Sequence, residues 1–522
     1  MSEQNNHKRH TNRAVAFLHL KSQIMSISSA IKSIQDIMRK DAGVDGDAQR
    51  LGQLSWLLFL KIFDAQEEEL EFELDNYKSP IPKKYLWRNW AANSQGITGN
   101  ELLDFINNDL IQGLKDLAAP IKSNPRGYVA KEAFSDAFNY MKNGTLLRQV
   151  VNKLNQIDFT NSQERHLFGD LYEQILKDLQ SAGNSGEFYT PRAVTRFIVQ
   201  MINPKLGETV FDPACGTGGF LACTVDTLKA QVKDSVGQQQ LQDSVRGVEK
   251  KQLPHLLCTT NMLLHGIEVP KNIRHGNTLN KPLSSLDEDD MVDVVVSNPP
   301  FGGTEEDGIE KNFPAEYQTR ETADLFLQYI IEVLNEKGRA AVVLPDGTLF
   351  GEGVKTKIKK LLLDECNLHT LVRLPNSVFA PYTSIKTNIL FFEKKSQGKN
   401  KGTSDVWYYE VPLPEGVKAF NKTKPMKLED FADCADWWGE GKSINAKTKR
   451  KNRQENELAW KVTIDEIIER NYNLDIKNPH VGEVISHDPE ELMADYAKQQ
   501  SDIKKLRDQL KGILSEALAG GK

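Results

Sequence analysis

Cysteine pairs, long apolar runs and an excess of basic charge are all missing from this sequence. The five cysteines, Cys215, Cys223, Cys258, Cys366 and Cys434, are widely scattered with no CxxC pair. That excludes a disulfide framework or a cysteine-based zinc site and points to a reducing compartment, the cytoplasm. No stretch approaches the roughly 20 apolar residues that a bilayer span needs. The opening residues, MSEQNNHKRHTNRAV, are polar and lack the apolar core of a signal peptide, so no membrane association is expected. The net charge is -6. A chain that grips DNA unaided normally carries a strong basic excess, because phosphate neutralisation supplies most of the affinity. Contact with nucleic acid would then need a local basic groove or a second polypeptide. Metal ligation finds no support either: His255, His265 and His275 have neither ligand spacing nor neighbouring cysteines, and ordinary core or surface roles are expected for them.

At 522 residues the chain is too long for one core, and two or three domains are expected. Residues 1–14 read as a disordered tail. From there to about residue 180 the pattern is helical, clearest where Leu51, Leu54, Leu58 and Ile62 recur at three- and four-residue steps. An amphipathic segment from Glu164 to Leu179 closes this region. After the turn-rich SAGNSGEFYTPR the texture changes. Short runs rich in β-branched residues (ETVFD, VRGVE, DVVVSN, RAAVVLP, LHTLVRLP, TNILFFEK) alternate with helical patterns such as Ala323 to Leu334 and Val354 to Leu363. Such alternation predicts an α/β fold: a doubly wound, mostly parallel sheet covered on both faces. The sheet is expected to end near Lys395. Beyond it come short elements, a basic run from Lys442 to Arg453 and a terminal helix. That helix would open at Asp488 as N-cap, with Pro489 and Glu491 behind it. Tyr496, Ile503, Leu506, Leu510, Ile513 and Ala517 form its apolar seam, broken at Gln499. The basic run could meet phosphates, although such runs are more often solvated loops.

Three motifs carry chemistry. In ETVFDPACGTGGFL a strand gives way to an acidic turn, and Gly216, Gly218 and Gly219 lead into a helix. Glycines are required where backbone passes closely under a nucleoside-bearing ligand, since a Cβ would collide with it. Alone, this is equally a tight strand-to-helix turn. The second strand, VRGVE, ends in Glu249, 30 residues beyond Gly219. An acid in that place accepts hydrogen bonds from ribose hydroxyls in doubly wound nucleotide-binding folds.

The third motif decides the class. DVVVSNPPFGG sets Asn298, Pro299, Pro300 and Phe301 directly after a buried strand. The two prolines lack N–H groups and stiffen the strand exit, which fixes the direction of the Asn298 and Pro299 carbonyls. A side-chain amide oxygen and a rigid backbone carbonyl together accept both hydrogens of an aromatic amino group. That draws the nitrogen lone pair out of conjugation and makes it nucleophilic toward a sulfonium methyl. Phe301 offers a face on which an extruded base stacks. Asp346 in LPDGTLF is better read as a turn residue before Gly347 than as a wall of the base pocket.

These motifs resemble those of amino-methyltransferases of the gamma arrangement, in which the cofactor motifs precede the catalytic one. More narrowly, the chain resembles the modification subunit of type I restriction-modification systems. GEFYTPR (Gly186 to Arg192), DPACGTGGF (Asp212 to Phe220), GNTL (Gly276 to Leu279), NPPFG (Asn298 to Gly302) and NYNLDIKNP (Asn471 to Pro479) carry the likeness, with the helical LSWLLFLKIFD in support. The resemblance implies S-adenosyl-L-methionine as cofactor and adenine N6 in duplex DNA as acceptor. Glu187, Phe188, Tyr189, Thr190, Pro191 and Arg192 would wall the methionine end. Thr217, Gly218 and Gly219 would lie beneath it, Asp212 near its charged amino-acid portion, and Glu249 at the ribose. Asn277 falls where many methyltransferases carry an aspartate facing the cofactor's adenine amino group; a turn residue after Gly276 is an equal reading. The family implies two modification subunits per specificity subunit, with a restriction subunit in the full complex.

Residues 15–163 are then a helical domain, 164–480 the catalytic domain and 481–522 a helix for partner contact. The stretch beyond the sheet is too short, and the chain's net charge of -6 too acidic, for an independent domain that reads bases, which favours a separate specificity subunit. The terminal helix packs either on that partner or within its own chain. Cytosine N4 presents the same two hydrogens as adenine N6, and only the gamma order and the resemblance choose between them. The rivals are a methyltransferase acting on protein amides or RNA, a catalytically idle scaffold in a restriction complex and, more distantly, a nicotinamide-dependent dehydrogenase.

Overall fold

The computed structural model describes residues 29–159, 172, 190–380, 383, 385–396, 402–421, 423–438, 452–480, 499–501 and 503–511. The expected tail, most of the Glu164–Leu179 segment, Glu187 to Tyr189, Asp488 to Tyr496, Ile513 and Ala517 lie outside the described residues.

The amino-terminal part is helical. Its longest helix, α1 (Asp47–Glu73), buries every residue from Gln53 to Leu60. A helix apolar on all sides belongs at the centre of a bundle, and here α2 (Pro125–Phe134) and α3 (Gly144–Leu154) contribute to the same core. Its few buried charges are paired. Arg126 Nε donates to Glu67 Oε1 at 2.7 Å. Arg148, itself buried, donates to the carbonyls of Trp90, Ala91 and Ile97.

Next comes a sheet that has nine strands among the described residues, in the order β3-β2-β1-β4-β5-β7-β6-β8-β9. They are β1 (Val210–Asp212), β2 (Val245–Glu249), β3 (Ile273–His275), β4 (Val292–Ser297), β5 (Leu334–Pro345), β6 (Cys366–Arg373), β7 (Thr387–Lys394), β8 (Asp405–Glu410) and β9 (Ala459–Thr463). Strands β1 to β5 run parallel, whereas β7 lies antiparallel between β5 and β6. Strand β4 is buried at five of its six residues, which suits the middle of a sheet covered on both sides. The covering helices include α4 (Arg192–Ile202), α5 (Gly219–Lys229), α6 (Gln252–His265), α7 (Thr322–Val333) and α8 (Val354–Glu365). The chain leaves β1 toward β2 and β3, then returns to β4 on β1's other side. That reversal makes the carboxyl ends of β1 and β4 the switch point at which open α/β sheets hold ligands.

The sheet does not end near Lys395. Strand β8 pairs parallel with β6, and β9 pairs antiparallel with β8. Tyr408 and Trp460 are register partners whose rings stack at 5.2 Å, so two short aromatic segments far apart in sequence complete one edge. The end of the basic run is also corrected. Arg453 is buried, its guanidinium 4.5 Å and 4.4 Å from the rings of Trp437 and Trp438, and Nη1 donates to Thr370 Oγ1. It packs the sheet and is neither a phosphate contact nor a solvated charge. Residues 442–451 lie outside the described residues.

Helix α6 joins the two parts. Cys258 and Met262 belong to the core under β2 and β3, while Leu256, Leu257, Leu263 and Leu264 belong to the core of the helical part. Arg126 Nη1 also donates to the Glu268 carbonyl just beyond α6. Residues 477–522 form a separate unit, in which the described helical residues expose Ile503, Leu506 and Leu510. Among the described residues no helix is long and apolar enough to cross a membrane.

The shared core makes a prediction. Leu257→Ala should lower stability by about 2–5 kcal/mol, as deletion of a fully buried leucine does, measured by urea denaturation followed by circular dichroism. A loss below about 1 kcal/mol would contradict a core held in common.

Candidate functional site

Four strand ends converge on one cleft at the carboxyl edge of the sheet, and each brings its motif. Thr190, Arg192, Asp212, Gly216, Thr217, Gly219, Glu249, Asn277, Asn298 and Pro300 all line it.

The turn after β1 is shaped by its glycines. Gly216 and Gly218 adopt φ of 53° and 81°, where an L side chain is strained. A Cβ on Gly218 would come within 2.7 Å of Cys258 Sγ. The turn thus brings bare backbone to the cleft from above α6. Asp212 anchors its start: Oδ1 accepts from Ser297 Oγ at 2.8 Å and from Ala214 N at 3.1 Å. The carboxyl is completely buried, and loss of hydration pushes its pKa up to about 7 despite those hydrogen bonds. Glu249 anchors the middle, accepting from Gly216 N at 3.0 Å and from Lys251 N at 2.7 Å. Burial raises its pKa too. Glu249 is therefore a clamp that ties the glycine turn to the end of β2, and it lines the cleft as well.

Asn298 leaves β4 with its amide oriented. Nδ2 donates to Thr190 Oγ1 at 2.9 Å, while Oδ1 is buried without a hydrogen-bond partner. A buried acceptor left unpaired costs about 1–3 kcal/mol, a cost that a ligand's N–H removes. Pro299 is buried and Pro300 exposed. The half-buried Phe301 meets Phe379 edge to face at 6.0 Å, so its ring is held by packing rather than left to rotate.

A model of the family described as N-6 DNA methylase matches residues 163–488, and one described as the HsdM N-terminal domain matches residues 27–154. The chain is 72% identical to the EcoEI type I restriction enzyme methylase subunit of Escherichia coli, over 95% of this chain and 99% of that one. Among solved structures it resembles a type I restriction enzyme modification subunit from Vibrio vulnificus YJ016, with 44% identity, a TM-score of 0.77 and 89% and 99% of the two chains covered. A chain from a structural study of complex assembly in a type I R-M system is 35% identical with a TM-score of 0.76, covering 95% and 99%.

The chain belongs to the type I restriction methylase subunits.

Ten of the predicted residues line the cleft of this DNA methylase, while Pro191, Gly218, Pro299 and Phe301 are not among the residues that line it. Glu187, Phe188 and Tyr189 lie outside the described residues; Thr190 and Arg192 line the cleft, and Pro191 is the N-cap of α4. Asn277 acts as a turn residue: Oδ1 accepts from Leu279 N, and Nδ2 donates to Glu305 Oε2 at 3.1 Å. Its amide still borders the cleft, yet its oxygen is spent on the turn. Asp346 opens a short helix and accepts from Asn388 Nδ2. His255, His265 and His275 are engaged by the Ile273 carbonyl, Asp226 and the Lys250 carbonyl. Among the described residues no three or more His, Cys, Asp and Glu side chains gather as a metal site.

Several residues of the site are not among those the sequence predicts. Ser297 is fully buried and braces Asp212 from behind the cleft; it sits directly before Asn298, and a hydroxyl at the end of an otherwise apolar strand is a signal that could have found it. Lys250, Glu305 and Phe326 line the cleft. Nothing local marks Glu305, which enters from the loop after the Asn-Pro-Pro-Phe motif.

The turn can be tested in two ways. Gly218→Ala should destabilise the methylase by about 1–3 kcal/mol through its positive φ and the Cys258 contact, read from the denaturation midpoint. Asp212 has a folded pKa of about 7 against an ordinary 3.8. Its contribution is therefore complete below the ordinary value and is lost as pH rises toward 7, because the unfolded chain ionises first. Relative to Asp212→Asn, the wild type should lose stability between about pH 4 and pH 7 in parallel urea titrations. A flat difference would show that Asp212 is not desolvated.

Proposed function

We propose that this methylase transfers a methyl group from S-adenosyl-L-methionine to N6 of adenine in duplex DNA, acting on a base turned out of the helix. The buried, partnerless Oδ1 of Asn298 beside the glycine-lined cleft carries this reading. The cleft fits the cofactor on two observations: bare backbone at Gly216 and Gly219 in its lining, and a buried carboxyl at Asp212 suited to a cationic amino-acid group. Thr217, Gly218 and Gly219 would lie under it, Arg192 at its methionine end and Glu249 at its ribose. When bound, S-adenosyl-L-methionine supplies an electrophilic sulfonium methyl.

Asn298 Oδ1 and the Pro299 carbonyl accept the two amino hydrogens, which localises the nitrogen lone pair toward the methyl. Thr190 keeps the amide from turning over by accepting from Nδ2. Pro300 stiffens the exit, and Phe301, braced by Phe379, stacks on the base.

We infer further that residues 15–163 support, 164–480 catalyse and 481–522 dock, with a separate specificity subunit reading the DNA sequence. Three features support this division: the net charge of -6, the folding of β8 and β9 into the catalytic sheet, and the exposed Ile503, Leu506 and Leu510. The relatives' names as methylase subunits of restriction enzymes support it as well. Two modification subunits per specificity subunit, joined by a restriction subunit in the full complex, complete the proposed assembly.

Labelled methyl transfer to duplex DNA, with and without the specificity subunit, tests this reading. Label in N6-methyladenosine only when the partner is present is expected, and Asn298→Ala should lower it by at least about 100-fold. Label without the partner would refute the division of labour. Cofactor binding with no label in either case would leave a scaffold. Binding of S-adenosyl-L-methionine should also tighten as pH rises through about 7, with proton release below it, since a cation favours ionised Asp212. Calorimetry in buffers of different ionisation enthalpy reads that proton, and a pH-independent affinity would remove Asp212 from the site.

A further inference from the structure

We propose that Glu305 reads the exocyclic amino group of the cofactor's purine, so that the cleft accepts a 6-amino nucleoside and discriminates against a 6-oxo one. This rests on the S-adenosyl-L-methionine reading and deepens it.

The order of the strands sets the direction of the ligand. The glycine turn follows β1, Glu249 ends β2, and Gly276 and Asn277 follow β3, the next strand outward. With a ribose at Glu249, the base lies on the β3 side, where Lys250, Asn277, Thr278, Glu305 and Phe326 line the cleft. An amino group there needs an acceptor, and the side chains present are mostly committed. Asn277 Oδ1 accepts from Leu279 N, and its Nδ2 can only donate. Thr278 Oγ1 donates to the Pro213 carbonyl at 2.5 Å. Lys250 is a cation.

Glu305 is the acceptor at that end. It is 8% exposed and enters from the loop that follows the catalytic motif. Lys250 Nζ and Asn277 Nδ2 donate to its Oε2, and Thr322 Oγ1 donates to its Oε1. A carboxylate offers about four acceptor directions, so these three donors hold the group in place and leave room for one more. Glu305 N donates to the Arg320 carbonyl and the Arg320 guanidinium donates to the Glu305 carbonyl, which fixes the loop behind it. A carboxylate held this way attracts an amino N–H and repels a carbonyl oxygen.

Titration calorimetry on the full chain tests this with two probes, S-adenosyl-L-homocysteine and its 6-oxo counterpart S-inosyl-L-homocysteine. A hydrogen bond to a charged acceptor predicts that the wild type prefers the amino ligand by about tenfold or more. Glu305→Gln, whose amide can serve either purine, should bring the two affinities within about threefold. Asn277→Ala leaves the carboxylate in place and should keep a preference of at least about fivefold. A merely structural Glu305 would weaken both ligands together and leave their ratio alone. An unchanged ratio in Glu305→Gln, a ratio lost in Asn277→Ala instead, or equal binding of both ligands by the wild type overturns the assignment while leaving the cofactor reading intact. The wild-type ratio stands even if Glu305→Gln does not fold. Failure of the wild type to bind S-adenosyl-L-homocysteine at all overturns the cofactor reading, and this inference with it.

Discussion

The cleft depends on one hydrogen bond between residues 85 positions apart, Ser297 Oγ donating to Asp212 Oδ1. The ladder between β1 and β4 pairs Val210 with Val294 and Phe211 with Val295. The side-chain bond carries that pairing to the strand exits. Asp212 then starts the glycine turn, and Ser297 is followed at once by Asn298. The glycine turn and the Asn298 amide are therefore set against each other by β1 and β4. The bond sits in a place without water, where hydrogen bonds are electrostatically strong and unpaired groups are costly. Burial holds the Asp212 pKa near 7.

The catalytic core was legible because its signals are local. Glycines at 216, 218 and 219, an acid closing VRGVE, and Asn-Pro-Pro-Phe after an apolar strand each state a backbone requirement within a few residues. Pairings across long sequence distances were not legible. Strands β8 and β9 were missed because each is short and makes sense only against distant partners, β8 against β6 and β9 against β8, where Tyr408 and Trp460 stack. Arg453 read as part of a solvated basic run, yet it is buried against the rings of two tryptophans. For Glu249 the sequence suggested only a ribose role; its hold on Gly216 N is a three-dimensional fact. Glu305 has no local signature, since Lys250, Asn277 and Thr322 converge on it from three different elements.

The helical part is tied to the catalytic sheet through α6, which has one core on each side. The same helix lies beneath the glycine turn: Asn261 Nδ2 donates to the Thr217 carbonyl, and Cys258 fills the space that a Cβ on Gly218 would need. Packing of the amino-terminal bundle and geometry of the turn are thereby linked through a single element. This gives the helical part a physical route to the site without any of its described residues lining it.

The most direct measurement is a crystal structure of the full chain with S-adenosyl-L-homocysteine. The account predicts the sulfur over Gly216 to Gly219, the ribose at Glu249, the purine amino group toward Glu305, and Asn298 Oδ1 open toward the side from which a base arrives. Ligand bound elsewhere, or a ligand in the cleft with its sulfur out of reach of Asn298, would contradict it.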